Sequence, residues 1–221
     1  FNIEGHELIL TASIGIASYP DDSQLGVKLL RNADIAMYES KQSGRNTYHF
    51  FSHELNAGIQ RRLEVEEQLH YALVRGEFNL VYQPIIDIQA MQVSGAEVLL
   101  RWNNKKLGVI TPDEFIPITE HTGSINEIGQ FILKQSIEQM AQWQNNYSKS
   151  LKISVNVSPR QLHDKSLLDN IDHYLKTNEV SGHSLQLELT EGVLMSKNTA
   201  IMQMLALMRD SQIHIAMDDF G

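Results

Sequence analysis

LQLELTE at residues 185–191 alternates leucine with polar side chains, so Leu185, Leu187 and Leu189 share one face of a strand while Gln186, Glu188 and Thr190 share the other. Three more apolar segments have the same design. In VSGAEVLLRW (93–102) the acid is Glu97, and in LKISVNVS (151–158) Asn156 falls in phase with Ser154 and Ser158, against Ile153, Val155 and Val157. In IHIAMDDFG (213–221) Asp218 falls in phase with Ala216 and His214, against Ile213, Ile215 and Met217, and Asp219 follows it. The bulky face of each strand suits packing against helices. The polar faces bring oxygen donors to the ends of four strands, which is how a hard-metal site is made.

The segments between these strands read as helices. Thr111-Pro112-Asp113-Glu114 predicts a helix start with Thr111 as N-cap and Glu114 closing a capping box. A longer helix follows from about Thr122, carrying Ile125, Ile128, Ile132, Met140 and Trp143 at roughly helical spacing. Pro159 to about Lys176 and Lys197 to Arg209 supply two more. Strands alternating with helices of this length predict βαβ units, a mostly parallel sheet and an α/β fold class. When such a sheet closes into a barrel, catalytic groups gather at the carboxyl ends of the strands, where all four polar positions lie.

The character of the chain changes near residue 52. Before it, Leu8 to Ala17 predicts a strand, Leu25 to Lys41 a helix ended by Gly44, and Asn46 to Phe51 a short strand. After it comes an amphipathic helix over about Ile59 to Arg75, stopped by Gly76, and then the strand FNLVYQPI (78–85), in which Pro84 marks an edge or a strand end. The division expected is therefore 1–52, a linker at 53–58, and 59–221.

With 221 residues and 42% hydrophobic side chains the chain can bury a sizeable core. The absence of cysteine excludes disulfides and thiolate metal sites and fits a reducing, cytoplasmic location. No apolar run is long enough to span a membrane and no signal peptide is visible, so no membrane contact is expected from this segment, although a parent protein can be anchored elsewhere. A net charge of −9 argues against nucleic acid as a partner, and it means that a phosphate ligand would need metal ions to make an acidic site attractive. The nine histidines show no ligand spacing. His214 reads as packed and hydrogen-bonded, and Trp102 and Trp143 read as core.

Six ordered motifs, YQPI, GAEVLLRW, FIPITE, NVSPRQL, LELTE and MDDFG, resemble an EAL domain, the cyclic di-GMP phosphodiesterase module, over about residues 59–221. LTASIGIASYP and ADIAMYESKQSGRN resemble the C-terminal end of a GGDEF domain, the diguanylate cyclase module, over about residues 1–52. The resemblance implies a tandem GGDEF–EAL protein: a partial TIM-like (β/α) barrel preceded by an α/β fragment. It implies that Glu97, Asn156, Glu188 and Asp218 bind one divalent ion, Mg2+ or Mn2+, and that Asp219 serves a second. Glu191 matches the glutamate that steadies the loop beginning at Asp218. Gln83 and Arg101 match positions that hold the dinucleotide, and Arg101 suits phosphate by its charge and planar donors. Lys41 and Arg45 match basic residues that contact a nucleotide triphosphate, with i,i+4 spacing near one helix end.

Two features depart from the family pattern. Val98 stands where the family motif has alanine, and by alternation it faces the helices rather than the metal side. The chain ends at Gly221, before later strands that supply a lysine and further ligands in the family, so a fragment of a longer protein is expected. The activity implied is hydrolysis of cyclic di-GMP to linear pGpG. The alternative is an inactive EAL domain that binds cyclic di-GMP as a receptor and signals to a protein partner; either accommodates a homodimer. Plainer readings exist for single residues. Glu97 can be a surface acid, Asn156 a helix cap for Pro159, Asp218-Asp219 a turn, and Lys41 with Arg45 a complement to a helix dipole.

Overall fold

The structure is a computed structural model that describes residues 2–3, 6–7, 10–147, 150–195 and 198–218. The chain forms two compact units, Phe1–Val65 and Glu66–Gly221. The first holds an antiparallel pair, β1 (Asn2–Ile3) and β2 (His6–Glu7), and a parallel pair, β3 (Ile14–Ile16) and β4 (Tyr48–Phe50), with helix α1 (Gly26–Gln42) between β3 and β4. Gly15 lets α1 lie directly on β3, because a Cβ there would stand 2.0 Å from the Ala33 carbonyl oxygen and 2.2 Å from the Met37 nitrogen. Ser40 Oγ donates to the Ile14 carbonyl at 2.7 Å and ties the same two elements.

The single strand expected from Leu8 to Ala17 is corrected. Residues 10–13 lie outside any strand, since β3 pairs only along the three residues of β4. The expected helix stop holds: Gly44 has φ of 100°, and the Arg45 N–H reaches back to the Ser40 carbonyl at 3.1 Å. Helix α2 (His53–Ala72) starts well before Ile59, so residues 53–58 are its first turns. The cause is Ser52, whose hydroxyl accepts the Leu55 N–H at 3.0 Å as an N-cap. In that first turn a backbone hydrogen bond and the Ser52 hydroxyl hold the Glu54 carboxyl below its usual range.

The second unit continues as β5 (Phe78–Asp87), β6 (Gln92–Asn104), β7 (Gly108–Ile110), α3 (Pro112–Thr122), α4 (Ile125–Asn146), β8 (Lys152–Asn156), α5 (Ser166–Thr177), β9 (Leu185–Thr190), α6 (Glu191–Leu194), α7 (Thr199–Asp210) and β10 (His214–Asp218). The sheet runs β10-β9-β8-β6-β5, with β7 on the far end of β6. β6, β8, β9 and β10 are parallel, while β5 and β7 pair with β6 antiparallel. Pro84 lies inside β5, which is an edge strand among the described residues, the kind of strand in which proline is tolerated.

The leucines of 185–189 are where alternation puts them. Leu185, Leu187 and Leu189 join Val98, Ile153 and Val155 in a core closed by Leu133 and Ile137 of α4, Ile171 of α5 and Leu205 of α7. Helix starts differ in detail from the sequence expectation. Thr111 is the N-cap of α3 with Pro112 behind it, yet its side chain accepts no cap hydrogen bond. Gly123, at φ 91°, ends α3 and separates it from α4, which begins at Ile125 rather than Thr122. The span from Pro159 is a short 3-10 turn followed by α5, because Asp164 Oδ1 takes the Ser166 N–H at 2.9 Å and starts the helix there. Asn198 caps α7 by accepting the Ala200 N–H at 3.0 Å, and Lys197 lies outside the described residues. No helix among the described residues is long and apolar enough to cross a membrane.

A buried acid locks β5 to β6. Glu77 is 5% exposed and its Oε2 accepts from Trp102 Nε1 at 3.0 Å and from Asn104 Nδ2 at 2.8 Å. Both donors lose their acceptor in Glu77→Ala, and at roughly 1–3 kcal/mol for each orphaned buried group the expected loss is about 2–6 kcal/mol. Urea unfolding of the variant against the parent protein checks this, and Glu77→Gln, which keeps one carbonyl acceptor, is expected to lose less.

Candidate functional site

The pairing register carries the polar residues across the sheet. Gln83, Glu97, Ser154, Gln186 and His214 are partners in succession from β5 to β10. Two residues further along, Asn156 pairs with Glu188 and Glu188 with Ala216; two further again, Thr190 pairs with Asp218. The expected ligands therefore do not share one row. Glu97, Asn156, Glu188 and Asp218 climb a diagonal from β6 to β10, the stagger that tilted barrel strands produce.

Hydrogen bonds knit this diagonal. Asn156 Nδ2 donates to Glu97 Oε1 at 3.0 Å, across β6 and β8. Ser154 Oγ donates to Glu188 Oε1 at 2.6 Å, across β8 and β9. Gln186 Nε2 lies 3.1 Å from Ser154 Oγ and 3.4 Å from Glu188 Oε1. Ser154 is 2% exposed, and its hydroxyl fixes one oxygen of Glu188 from beneath. Neither Ser154 nor Gln186 carried an expected role, although both share the phase of Asn156 and Glu188 along their strands.

Electrostatics single out Glu97. Desolvation pushes its carboxyl above the usual range; repulsion from Glu188 and Asp218 adds to the rise, and the Asn156 hydrogen bond and Arg101 oppose it. Glu97 thus feels two other acids in a partly desolvated place. Among the described residues, no three His, Cys, Asp or Glu side chains come together closely enough to hold an ion as they stand. The set nonetheless fits a hard divalent cation by its chemistry: it is made of carboxylate and amide oxygens, and a cation would relieve the repulsion that Glu97 feels.

The other expected residues are placed as follows. Gln83 is exposed beside Glu97 on β5, and Arg101 lies on the same face of β6 as Glu97, its Nη1 donating to the Leu100 carbonyl at 2.9 Å. Glu191 opens α6 directly after β9 and is exposed. Asp219 and the loop that Glu191 is expected to steady lie outside the described residues, so only Asp218 of that loop is placed. Lys41 stands in the last turn of α1 and Arg45 just past the helix end at φ 63°. His214 is exposed, with its ring 5.8 Å from that of His183, and not the packed histidine expected. Desolvation, Lys152 and His183 all hold it below the usual histidine range. Val98 is 4% exposed in the core, so the departure from alanine falls on the helix side as alternation predicts.

The EAL domain family matches residues 66–221, and the diguanylate cyclase GGDEF domain family matches residues 1–47. The chain belongs to the EAL family and carries a GGDEF segment ahead of it. It is 37% identical over 221 residues to the bifunctional diguanylate cyclase/cyclic di-GMP phosphodiesterase MucR of Pseudomonas aeruginosa, covering 100% of this chain and 32% of MucR. It is 32% identical over 219 residues to the cyclic di-GMP phosphodiesterase NbdA of the same organism, covering 99% of this chain and 28% of NbdA. The chain thus spans about a third of these relatives or less. Among solved structures, the PaMucR phosphodiesterase in complex with c-di-GMP aligns with a TM-score of 0.68 at 32% identity, over 72% of this chain and 64% of that one. The fold is the TIM-like α/β architecture of EAL domains.

The raised pKa of Glu97 has a stability consequence. Metal-free protein gains from Glu97 while it is protonated, below the ordinary carboxylate range, and loses that gain as pH rises through the raised value. Glu97→Gln is therefore expected to raise Tm in EDTA at about pH 7.5 and to make little difference near pH 4. Scanning calorimetry reads the difference. An equal Tm at the higher pH would mean that the ionised carboxylate costs the fold nothing.

Proposed function

We propose that the chain is part of a bacterial signalling protein whose EAL unit hydrolyses cyclic di-GMP to linear pGpG with the help of a divalent cation. The observation that carries this reading is the diagonal of Glu97, in the middle of β6, Asn156 and Asp218, at the ends of β8 and β10, and Glu188, near the end of β9, with Asn156 bonded to Glu97. MucR and NbdA, both named for cyclic di-GMP phosphodiesterase activity, support it. Those four residues would hold Mg2+ or Mn2+, with Asp219 toward a second ion. The cations would supply charge for the phosphoryl oxygens and a deprotonated water.

The chain's own side chains do the rest. Arg101, four residues beyond Glu97 on the same strand face, binds a phosphate of the dinucleotide through its planar donors. Gln83, beside Glu97, orients the substrate from β5. Ser154 holds Glu188 Oε1, so that this carboxylate presents its second oxygen toward the site. Glu191 steadies the loop after Asp218. Lys41 and Arg45, in the first unit, contact nucleotide triphosphate.

Hydrolysis is read by chromatography of cyclic di-GMP incubated with the full-length protein and Mg2+. Linear pGpG is expected from the wild type, and Glu97→Ala is expected to lower turnover by at least about a hundredfold, as lost transition-state stabilisation does elsewhere. Turnover that survives Glu97→Ala contradicts the assignment. Tight binding of cyclic di-GMP by the wild type with no product in either Mg2+ or Mn2+ would make the protein a receptor.

A further inference from the structure

We propose that Glu120, with Arg160, is a positioning residue for the ion site, acting through the hydroxyl of Ser158 on the turn that follows Asn156. It rests on the ion-site reading above. Asn156 is the last residue of β8 and is exposed. Its amide donates to Glu97 Oε1, and the turn behind it sets where its backbone stands. The Val157 N–H continues the pairing to the Glu188 carbonyl at 2.9 Å, and beyond that the backbone leaves the sheet.

Three ties then hold the turn. Ser158 Oγ donates to Glu120 Oε1 at 2.6 Å, and the Ser158 N–H donates to Gln161 Oε1 at 3.0 Å. Arg160 Nη1 donates to the Glu120 carbonyl and, at 3.1 Å, to the His121 carbonyl. Those carbonyls belong to the last turn of α3, which has no partners within its own helix and welcomes a cation. The helices are shaped to receive these ties. Gly123 leaves room for the guanidinium, since a Cβ there would stand 3.0 Å from Arg160 Nη2. Gly129 seats Gln161 on the bare surface of α4, since a Cβ there would stand 1.9 Å from Gln161 Nε2.

The corner between α3 and α4 is thereby clamped to a turn two residues from a proposed ligand. FIPITE supplies Glu120, and NVSPRQL supplies Ser158, Arg160 and Gln161 directly after the proposed ligand Asn156, so the clamp gives the two motifs a joint task. Polar contacts this near the surface add little to global stability. Partners that orient a metal ligand, by contrast, commonly govern affinity by about 10–100-fold. Glu120→Ala should therefore weaken ion binding more than it weakens the fold.

Manganese titration of the full-length protein, read by the electron paramagnetic resonance of free Mn2+, tests the proposal without turnover, and circular dichroism melts of each variant report the fold. Glu120→Ala is expected to weaken Mn2+ binding about tenfold. Glu120→Gln keeps an oxygen acceptor for Ser158 and should stay within about twofold. Ser158→Ala removes the other end of the bond, serves if Glu120→Ala fails to fold, and should reproduce the loss, with the double variant no worse than either single one. A folded Glu120→Ala or Ser158→Ala protein that binds Mn2+ as the wild type does overturns the clamp alone, as does a Glu120→Gln protein as weak as Glu120→Ala. A wild type that binds no Mn2+ overturns the ion-site reading and the clamp with it.

Discussion

The parallel pairing of β6, β8, β9 and β10 is the constraint on which the rest depends. Alternation along each strand sends one set of side chains into the helix-facing core and the other to a common polar face. A slip of one residue would exchange the two sets, burying Glu188 and exposing Leu187. The core of leucines, isoleucines and valines therefore fixes the site: it stabilises only the register in which Glu97, Asn156, Glu188 and Asp218 face the same way. Glu77 extends the same control to the antiparallel edge, where its two hydrogen bonds hold β5 so that Gln83 stands beside Glu97.

Much of this was legible in the chain because a two-residue period needs no tertiary information. Leu185, Leu187 and Leu189 against Gln186 and Glu188 could be sorted by inspection, and Val98 could be assigned to the core although it replaces a family alanine. The diagonal could not. Which residue of β8 lies opposite Glu97 depends on strand stagger, a property of the assembled sheet, and it brings Ser154 rather than Asn156 to that place. The roles of Ser154 and Gln186 were hidden for the same reason: their phase was visible, but not that Glu188 is their neighbour.

The misses at element ends have local causes. Residues 53–58 looked like a connection because the apolar spacing begins at Ile59, yet Ser52 can cap a helix and does. The first strand looked long because Leu8 to Ala17 alternates, yet a strand lasts only while a partner runs beside it, and β4 is three residues long. In each case a single capping or pairing residue outweighed a periodic pattern.

For the proposed substrate, a doubly phosphorylated ring, this acidic chain would need cations, and the Glu97 carboxyl, raised by desolvation and by Glu188 and Asp218, is where a cation would relieve repulsion. The most direct test of this account is an anomalous-difference map from crystals of the protein soaked in Mn2+. A peak within about 2.0–2.3 Å of oxygens from Glu97, Asn156, Glu188 and Asp218 is the predicted result, allowing slightly more than the Mg2+ distance for the larger ion. Manganese bound elsewhere, with these four side chains turned away from it, would contradict the account.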